Sequence, residues 1–335
     1  MNNEFTASTV LIVGGSGSWG KELTRQLLEM DPEKIIIFSR GEISQVEMQR
    51  TFNNKLIDFV IGDARDQEAV ENVFLQNNID YVFHMAALKH VPICENQPWE
   101  AIQTNIFGVK NILDASVIHK PRKFVLVSTD KAVDPYNVYG LTKAISEKLV
   151  IQANCMTDET DFICIRSGNV LGTSGSLVPY AISQIRNKNE VGITDGTMTR
   201  FFTTFTYAVK FLITSMLQGI GGEIHIMNMP SFYISDVVDL IVASYGDKDT
   251  RIKTTGAREG EKKHELLISA HEASRTFRVM GDFVIRPQLD TNRRYYDAVH
   301  CAIPYLSSED NLSNKEVLYE LLQKGQLLKK HEVYT

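Results

Sequence analysis

Thr9-Val-Leu-Ile-Val13 runs directly into Gly14-Gly15-Ser16-Gly17-Ser18-Trp19-Gly20 and then into Lys21 to Met30. The order of these three pieces decides the fold. A short β-branched and aliphatic run reads as a buried strand. Glycines at 14, 17 and 20 let the backbone turn tightly and approach a pyrophosphate. The segment after them carries Leu23, Leu27 and Met30 on one helical face and stops at Asp31-Pro32; its N-terminus offers free N–H groups and a positive dipole end. A glycine cluster alone is a weak signal, but strand, glycines and helix in succession favour a dinucleotide site over a structural turn. Gly14, Ser16, Gly17, Ser18, Trp19 and Gly20 are the first candidate cofactor contacts.

The alternation continues outward. Lys34–Phe38 reads as a second strand ending in Ser39-Arg40. An acidic residue there would bind a ribose 2′-hydroxyl, whereas an arginine suits a 2′-phosphate, so NADP is favoured over NAD; a solvated loop charge is the rival reading of Arg40. Asp58–Ile61 leads to Gly62-Asp63-Ala64-Arg65-Asp66 and a helix with Val70, Val73 and Phe74 inward. Asp63 suits the adenine amino group or, alternatively, caps that helix. Asp80–His84 is followed by Met85-Ala86-Ala87-Leu88, small residues where a ribose and pyrophosphate would pass, and Lys89-His90 adds charge to the same rim. A helical stretch from about 98 to 118 precedes strands at 123–127 and 162–165. This is the pattern of an α/β doubly wound parallel sheet. Helices at about 176–187, 204–218 and 235–245, with strands at about 191–194, 223–227 and 251–254, read as a smaller lobe. The division expected is 1–166 for dinucleotide binding and 167–335 mainly for substrate, the two interlocked. Polar clusters at Met198-Thr-Arg200-Phe201, Gly221-Gly-Glu223 and 257–265 suit a second diphosphate, with solvated charge as the rival for the last. The tail from 306 is polar and holds a short helix, Lys315 to Leu322.

Chemistry concentrates after the central strand, in Ser128-Thr129-Asp130-Lys131 and Tyr139-Gly-Leu-Thr-Lys143. Tyr139 and Lys143 stand four apart on one helix face. A phenol with an ordinary pKa of about 10 is a poor base at neutral pH. The Lys143 ammonium and a bound oxidised nicotinamide favour its phenolate, and Thr129 can share the same substrate oxygen. The rival is an ordinary surface Tyr-x-x-x-Lys pair, and the context weighs against it.

Composition narrows the classes. With 43% hydrophobic and 23% charged residues the chain is globular, and a net charge of −6 disfavours a nucleic-acid or anionic membrane surface. Cys94, Cys155, Cys164 and Cys301 lack Cys-x-x-Cys spacing and read as reduced core thiols, with no metal site expected. No apolar run approaches the roughly 18 residues of a membrane span, and the N-terminus lacks a signal-peptide layout, so the cytoplasm is expected.

These stretches together resemble the extended short-chain dehydrogenase/reductases, and among them the UDP-N-acetylglucosamine 4,6-dehydratases of the C5-inverting, pseudaminic-acid-pathway type. The resemblance runs from about residue 9 to 270. It is carried by Gly-Gly-Ser-Gly-Ser-Trp-Gly (14–20), Phe-Ser-Arg (38–40), Gly-Asp-Ala-Arg-Asp (62–66), Ala-Ala-Leu-Lys-His-Val-Pro (86–92) and Thr-Asn-Ile (104–106). Ser-Thr-Asp-Lys-Ala (128–132), Tyr-Gly-Leu-Thr-Lys (139–143), Gly-Asn-Val (168–170), Met-Thr-Arg-Phe (198–201) and Gly-Glu-Lys-Lys-His-Glu (260–265) complete it. It implies polysaccharide precursor synthesis with NADP, UDP-N-acetylglucosamine as substrate and a homo-oligomer packed through the 98–118 and Tyr139 helices. Tyr139 is then the base at O4, with Thr129 and Lys143 beside it. Lys131, where retaining relatives carry glutamate, removes H5 after burial and local charge make it neutral, and a protonated Asp130 serves the leaving 6-hydroxyl. Asn105 joins the cofactor set, and Lys89, Asn169, Val170, Arg200, Arg258 and Glu261 form the substrate set. Release of a 5,6-ene with hydride returned to C4, a UDP-sugar C4 epimerase, and a non-catalytic NADP-sensing scaffold are the alternatives.

Overall fold

The computed structural model describes residues 4–173, 175–288, 299–300, 303–308 and 311–329. The first half follows the order β1 (Thr9–Val13), α1 (Ser18–Leu28), β2 (Lys34–Ser39), α2 (Glu42–Phe52), β3 (Ile57–Ile61), α3 (Gln67–Leu75), β4 (Tyr81–His84). Then come α4 (Val91–Asn96), α5 (Pro98–Ile102), α6 (Gly108–His119), β5 (Lys123–Thr129), α7 (Val138–Asn154) and β6 (Asp161–Ser167). β1 and β4 are buried at every position, which is why both read as continuous apolar runs rather than alternating ones. The six strands pair in parallel in the order β3-β2-β1-β4-β5-β6. Right-handed crossovers put α1 on one face and α3, α6 and α7, which touch in sequence, on the other. The order reverses between β1 and β4, so a crevice opens beyond their carboxyl ends.

The second half contains β7 (Asn169–Val170), α8 (Leu177–Lys188), β8 (Glu190–Ile193), β9 (Thr199–Thr203), α9 (Phe205–Gln218), β10 (Ile224–Ile226), β11 (Ser231–Tyr233) and α10 (Ile234–Tyr245). It ends with β12 (Arg251–Thr254), β13 (Leu266–Ile268), α11 (Ala270–Ala273), β14 (Thr276–Val279), β15 (Asp282–Ile285), β16 (Val299–His300), β17 (Tyr305–Leu306) and α12 (Lys315–Lys324). β10 does not belong to a separate lobe: it pairs in parallel with β6 and continues the main sheet. The hairpin β14–β15 and then β16 add antiparallel strands, giving ten among the described residues. The sheet is therefore parallel only over its first seven positions. The hairpin escapes a sequence reading because its strands are short; its turn lies at Met280 and Gly281, both at positive φ. Helix α2 and the small strands β7, β9 and β11 are likewise absent from the sequence reading. The stretch from 98 to 118 is helical throughout but includes one π-helical turn, Gln103–Phe107.

One apolar core spans the sheet and draws on residues from both halves, from Phe5 to Ile285. A smaller one, from Leu171 to Leu322, sits between α8, α10 and α12. Cys94 and Cys164 are buried as core thiols, but Cys155 is exposed just beyond the C-terminus of α7; Cys301 lies outside the described residues.

A buried ion cluster ties the sheet to the later chain. Arg166, in β6, forks onto Glu147 of α7 (Nη2–Oε2 2.6 Å, Nε–Oε1 2.8 Å) and onto Glu272 of α11 (Nη2–Oε1 2.8 Å, Nη1–Oε2 2.9 Å). It also donates to the Leu267 carbonyl, and Ser128 Oγ donates to Glu147 at 2.5 Å. Burial pushes the Glu272 carboxyl up, but Arg166 outweighs it and holds the pKa down at about 2 against an ordinary 4.5. A carboxylate depressed on folding contributes stability that is present above its unfolded pKa and is lost as pH falls through the folded one. Stability should therefore decline between about pH 4.5 and 2 as Glu272 protonates. Arg166→Met strands two buried carboxylates and should cost roughly 3–5 kcal/mol in urea unfolding at neutral pH, with a shallower loss on acidification.

Candidate active site

The crevice at the sheet's carboxyl ends is a cleft of about 610 Å³. Its floor begins at Gly14, whose φ of +80° and near approach to Ala86 exclude a side chain: a Cβ would stand 2.7 Å from the Ala86 nitrogen. The ends of β1 and β4 thus nearly touch across the switch point. Ser16, Gly17, Ser18 and Trp19 line the cleft at the start of α1, and Ser39, Arg40, Asp63, Ala64, Ala86, Ala87 and Lys89 line it beyond the neighbouring strands. Ser39 Oγ donates to Ser16 Oγ at 2.9 Å, and the Gln45 amide holds Ser39 in place, a support the sequence did not signal. Arg40 is half exposed, 3.7 Å from Asp63. Asp63 does not cap α3; Asp66 does, accepting from Glu68 N and Ala69 N, while Asp63 is clasped by Arg65. A bare-backbone cradle and a helix N-terminus fit the pyrophosphate of a dinucleotide.

Gly20 and Asn105 stand behind the cleft instead of in it. Gly20 packs on the Gly15 backbone. Asn105 is fully buried, accepts from Leu88 N, and donates to the Leu88 carbonyl and to Thr142 Oγ1, so it fastens the loop after β4 to α7. Thr104, its neighbour, lines the cleft, as does His90.

The reactive groups converge because β5 ends in a single 3-10 turn, Asp130–Ala132. Gly140 lies against that turn so closely that a Cβ would meet the Lys131 carbonyl at 2.1 Å. The first turn of α7 is thereby pressed onto Lys131, which brings Tyr139 beside it. Asn137 caps α7 by accepting from Gly140 N at 2.7 Å, and Glu95 accepts from Val138 N at 2.6 Å. Thr129, Lys131, Tyr139 and Lys143 all line the cleft. Asp130 is fully buried beneath it; its Oδ1 accepts from Thr129 Oγ1 (2.8 Å) and Lys131 Nζ (3.1 Å), and its Oδ2 has no hydrogen-bond partner.

Electrostatics here depart from the sequence expectation. Burial opposes the Lys131 ammonium, but Asp130 and Glu265, at 3.1 and 3.3 Å, outweigh it and hold its pKa above the usual value. The lysine expected to be neutral rests charged. Burial raises the Tyr139 phenol to about 12, against which Lys131 and Thr129 pull down; the leading cation at Tyr139 is Lys131, not Lys143. Lys143, stripped of solvent, falls to about 8.

From the second half, Asn169 and Val170 line the cleft together with Ser167, Gly168, Leu171, Thr173 and Phe202. Arg200, Arg258 and Glu261 do not line it. Arg200 is buried and donates to the carbonyls of Thr199 and Lys263. Arg258 and Glu261 close a turn on each other, through Glu261 N to the Arg258 carbonyl and Arg258 N to Glu261 Oε2.

Comparison with known proteins agrees with this geometry. Residues 10–287 match the family model described as polysaccharide biosynthesis protein. The chain is 40% identical over 289 residues to a UDP-N-acetylglucosamine 4,6-dehydratase (inverting) of Campylobacter jejuni, covering 85% of this chain and 84% of the relative. It is 39% identical over 277 residues to a UDP-glucose 4-epimerase of Rickettsia bellii, covering 81% and 80%. The crystal structure of Pen from Bacillus thuringiensis superposes with a TM-score of 0.92 at 36% identity, covering 97% of this chain and 99% of that one.

Gly14→Ala tests the cradle. Its Cβ would have to displace the Ala86 backbone from a φ that L-residues avoid. Fluorescence titration should show dinucleotide affinity falling at least ~10-fold, and thermal stability should fall as well, by ~1–3 kcal/mol or more for the strained backbone.

Proposed function

Because the chain belongs to the polysaccharide biosynthesis protein family, we propose that it is an NADP-dependent UDP-N-acetylglucosamine 4,6-dehydratase yielding a C5-inverted 4-keto-6-deoxy sugar. Membership of the nucleotide-sugar dehydratase class is the firm part, supported by relatives near 40% identity over most of the chain. The observation that carries the finer reading is the Asp130–Lys131 pair in hydrogen-bonding contact beside Tyr139. A C4 epimerase needs the tyrosine but has no use for that pair.

Tyr139, held by Thr129 and facing Lys131, accepts the O4 proton. When bound, the nicotinamide accepts a hydride from the sugar and later gives one back, so no net redox change results. The 4-ketone so formed acidifies H5. The Lys131–Asp130 hydrogen bond supplies both catalysts for the next step: moving one proton from Nζ to the carboxylate turns the ion pair into a neutral amine and a carboxylic acid without changing net charge. Lys131 then takes the C5 proton, Asp130 protonates the departing 6-hydroxyl, and water leaves with formation of the 5,6 double bond. Asp130 returns as a carboxylate and Lys131 as an ammonium that can reprotonate C5. Lys143, with its lowered pKa of about 8, lines the cleft and would help hold the cofactor in this reading. Arg40 supports NADP, and Asn169 and Val170 support contact with the nucleotide-sugar. Arg200, Arg258 and Glu261 stand outside the cleft lining and lend this reading no support. Exposed Trp99, Phe107, Leu141 and Ile145 support packing between copies through α5–α7. No helix among the described residues is long and apolar enough to cross a membrane.

The test is NMR of the product from UDP-N-acetylglucosamine in deuterated water with catalytic NADP⁺. A C6 methyl, deuterium at C5 and L-arabino couplings are expected. Vinylic C6 protons with the 4-hydroxyl retained would mean a 5,6-ene product, and a C4 epimer without water loss would mean an epimerase. No turnover by a dinucleotide-loaded protein would remove the substrate assignment. Tyr139→Phe should lower kcat by ~10²–10⁴-fold while dinucleotide binding persists.

A further inference from the structure

The motif Gly260-Glu-Lys-Lys-His-Glu265 ends in a carboxylate that the steps above do not use. Glu265 is 2% exposed, and its Oε1 lies 3.3 Å from Lys131 Nζ and 3.8 Å from Arg200 Nε. Its Oε2 is buried with no hydrogen-bond partner. A carboxylate oxygen in that state is costly, and most folds satisfy it or remove it. This one is held rigidly. Glu265 N donates to Ser307 Oγ at 2.9 Å, Ser307 N donates to the Glu265 carbonyl at 2.9 Å, and Ser307 Oγ in turn meets Thr199 Oγ1. The segment before it is docked on the catalytic loop through Asn137 Nδ2 to the Gly260 carbonyl and Lys262 Nζ to the Val133 carbonyl, both at 2.8 Å.

We infer that Glu265 is a positioning residue for Lys131: it holds Nζ between itself and Asp130, at the wall of the cleft, and sets how strongly that nitrogen keeps a proton. The groups facing Lys131 come from four elements. Asp130 and Glu265 favour its ammonium, Arg200 opposes it, and Tyr139 beside it feels its charge. With Glu265 present, the amine that has given its proton to Asp130 is a stronger base toward H5, and the ammonium it becomes is already accommodated. The catalytic meaning of this clamp rests on the proposed role of Lys131; the clamp itself does not.

Two readouts separate the two. Cyanate carbamylates neutral amines, so its rate at Lys131, followed by peptide mass spectrometry on the whole enzyme at pH 9, reports the neutral fraction without any turnover. In Glu265→Gln, of equal size, the rate should rise about tenfold or more, as loss of one opposite charge within a few ångströms implies; exposed Lys110 serves as the unchanged reference. Glu265→Asp should fall between. In turnover of UDP-N-acetylglucosamine, the acid limb of the kcat–pH profile should move about one unit lower in Glu265→Gln. A purely structural defect would lower kcat at every pH and leave the limb in place. An unchanged cyanate rate in a folded Glu265→Gln protein, or an unmoved limb, overturns the inference. A raised cyanate rate in an enzyme that never turns over this sugar leaves the clamp standing and removes the substrate reading instead.

Discussion

Arg166 is the residue on which the arrangement depends. Buried among Glu147, Glu272 and the Leu267 carbonyl, its guanidinium joins β6, α7 and α11 at one point. Glu147 lies one turn beyond Lys143 and two beyond Tyr139 on the same helix, so the fork that grips Glu147 also fixes the rotation of the helix bearing both groups. Ser128, one residue before Thr129, donates to the same carboxylate. Fully paired, such a cluster is close to neutral for stability; with any member removed it is not. What it supplies is a defined register between the sheet end and the catalytic helix.

A second charged set, Asp130, Lys131, Glu265 and Arg200, contains two anions and two cations and is nearly dry. Arg166 and its partners form a closed network, but this set is left incomplete: one oxygen on each carboxylate lacks a partner. The contrast divides structural from chemical charge. In the Arg166 set, which supplies rigidity, every guanidinium N–H and both carboxylates are matched. Where protons are to move, two acceptors stay open.

Much of this was legible in the sequence because its signals are local. The strand–glycine–helix order, Arg40 after β2 and the Thr129-Asp130-Lys131 and Tyr139-x-x-x-Lys143 groups depend on neighbours within a few residues. The structure brings them to one cleft. Asn105 misled because a motif position says nothing of direction: its amide turns inward to Leu88 and Thr142. Arg200 and Arg258 enter the substrate set by resemblance; in the structure one binds carbonyls and the other a tight turn. The charge of Lys131 was out of reach for a different reason. It is held by Asp130, its neighbour, together with Glu265, more than a hundred residues away along the chain, and no periodicity encodes that second contact. β10 likewise read as part of a lobe because three residues carry no address; its partner, β6, supplies it.

The same long separation orders the birth of the enzyme. A ribosome that has released the chain as far as α9 has already exposed the glycine loop, Tyr139 and Lys143, all joined by short crossovers. Glu265 and Glu272, which complete both charged sets, emerge only later. A nascent or truncated chain therefore has the parts of a dinucleotide cradle while Arg166 and Lys131 still lack half their counter-charge. The catalytic helix thus has its Arg166–Glu147 fork early in synthesis, and the Glu272 arm of the same guanidinium is added last.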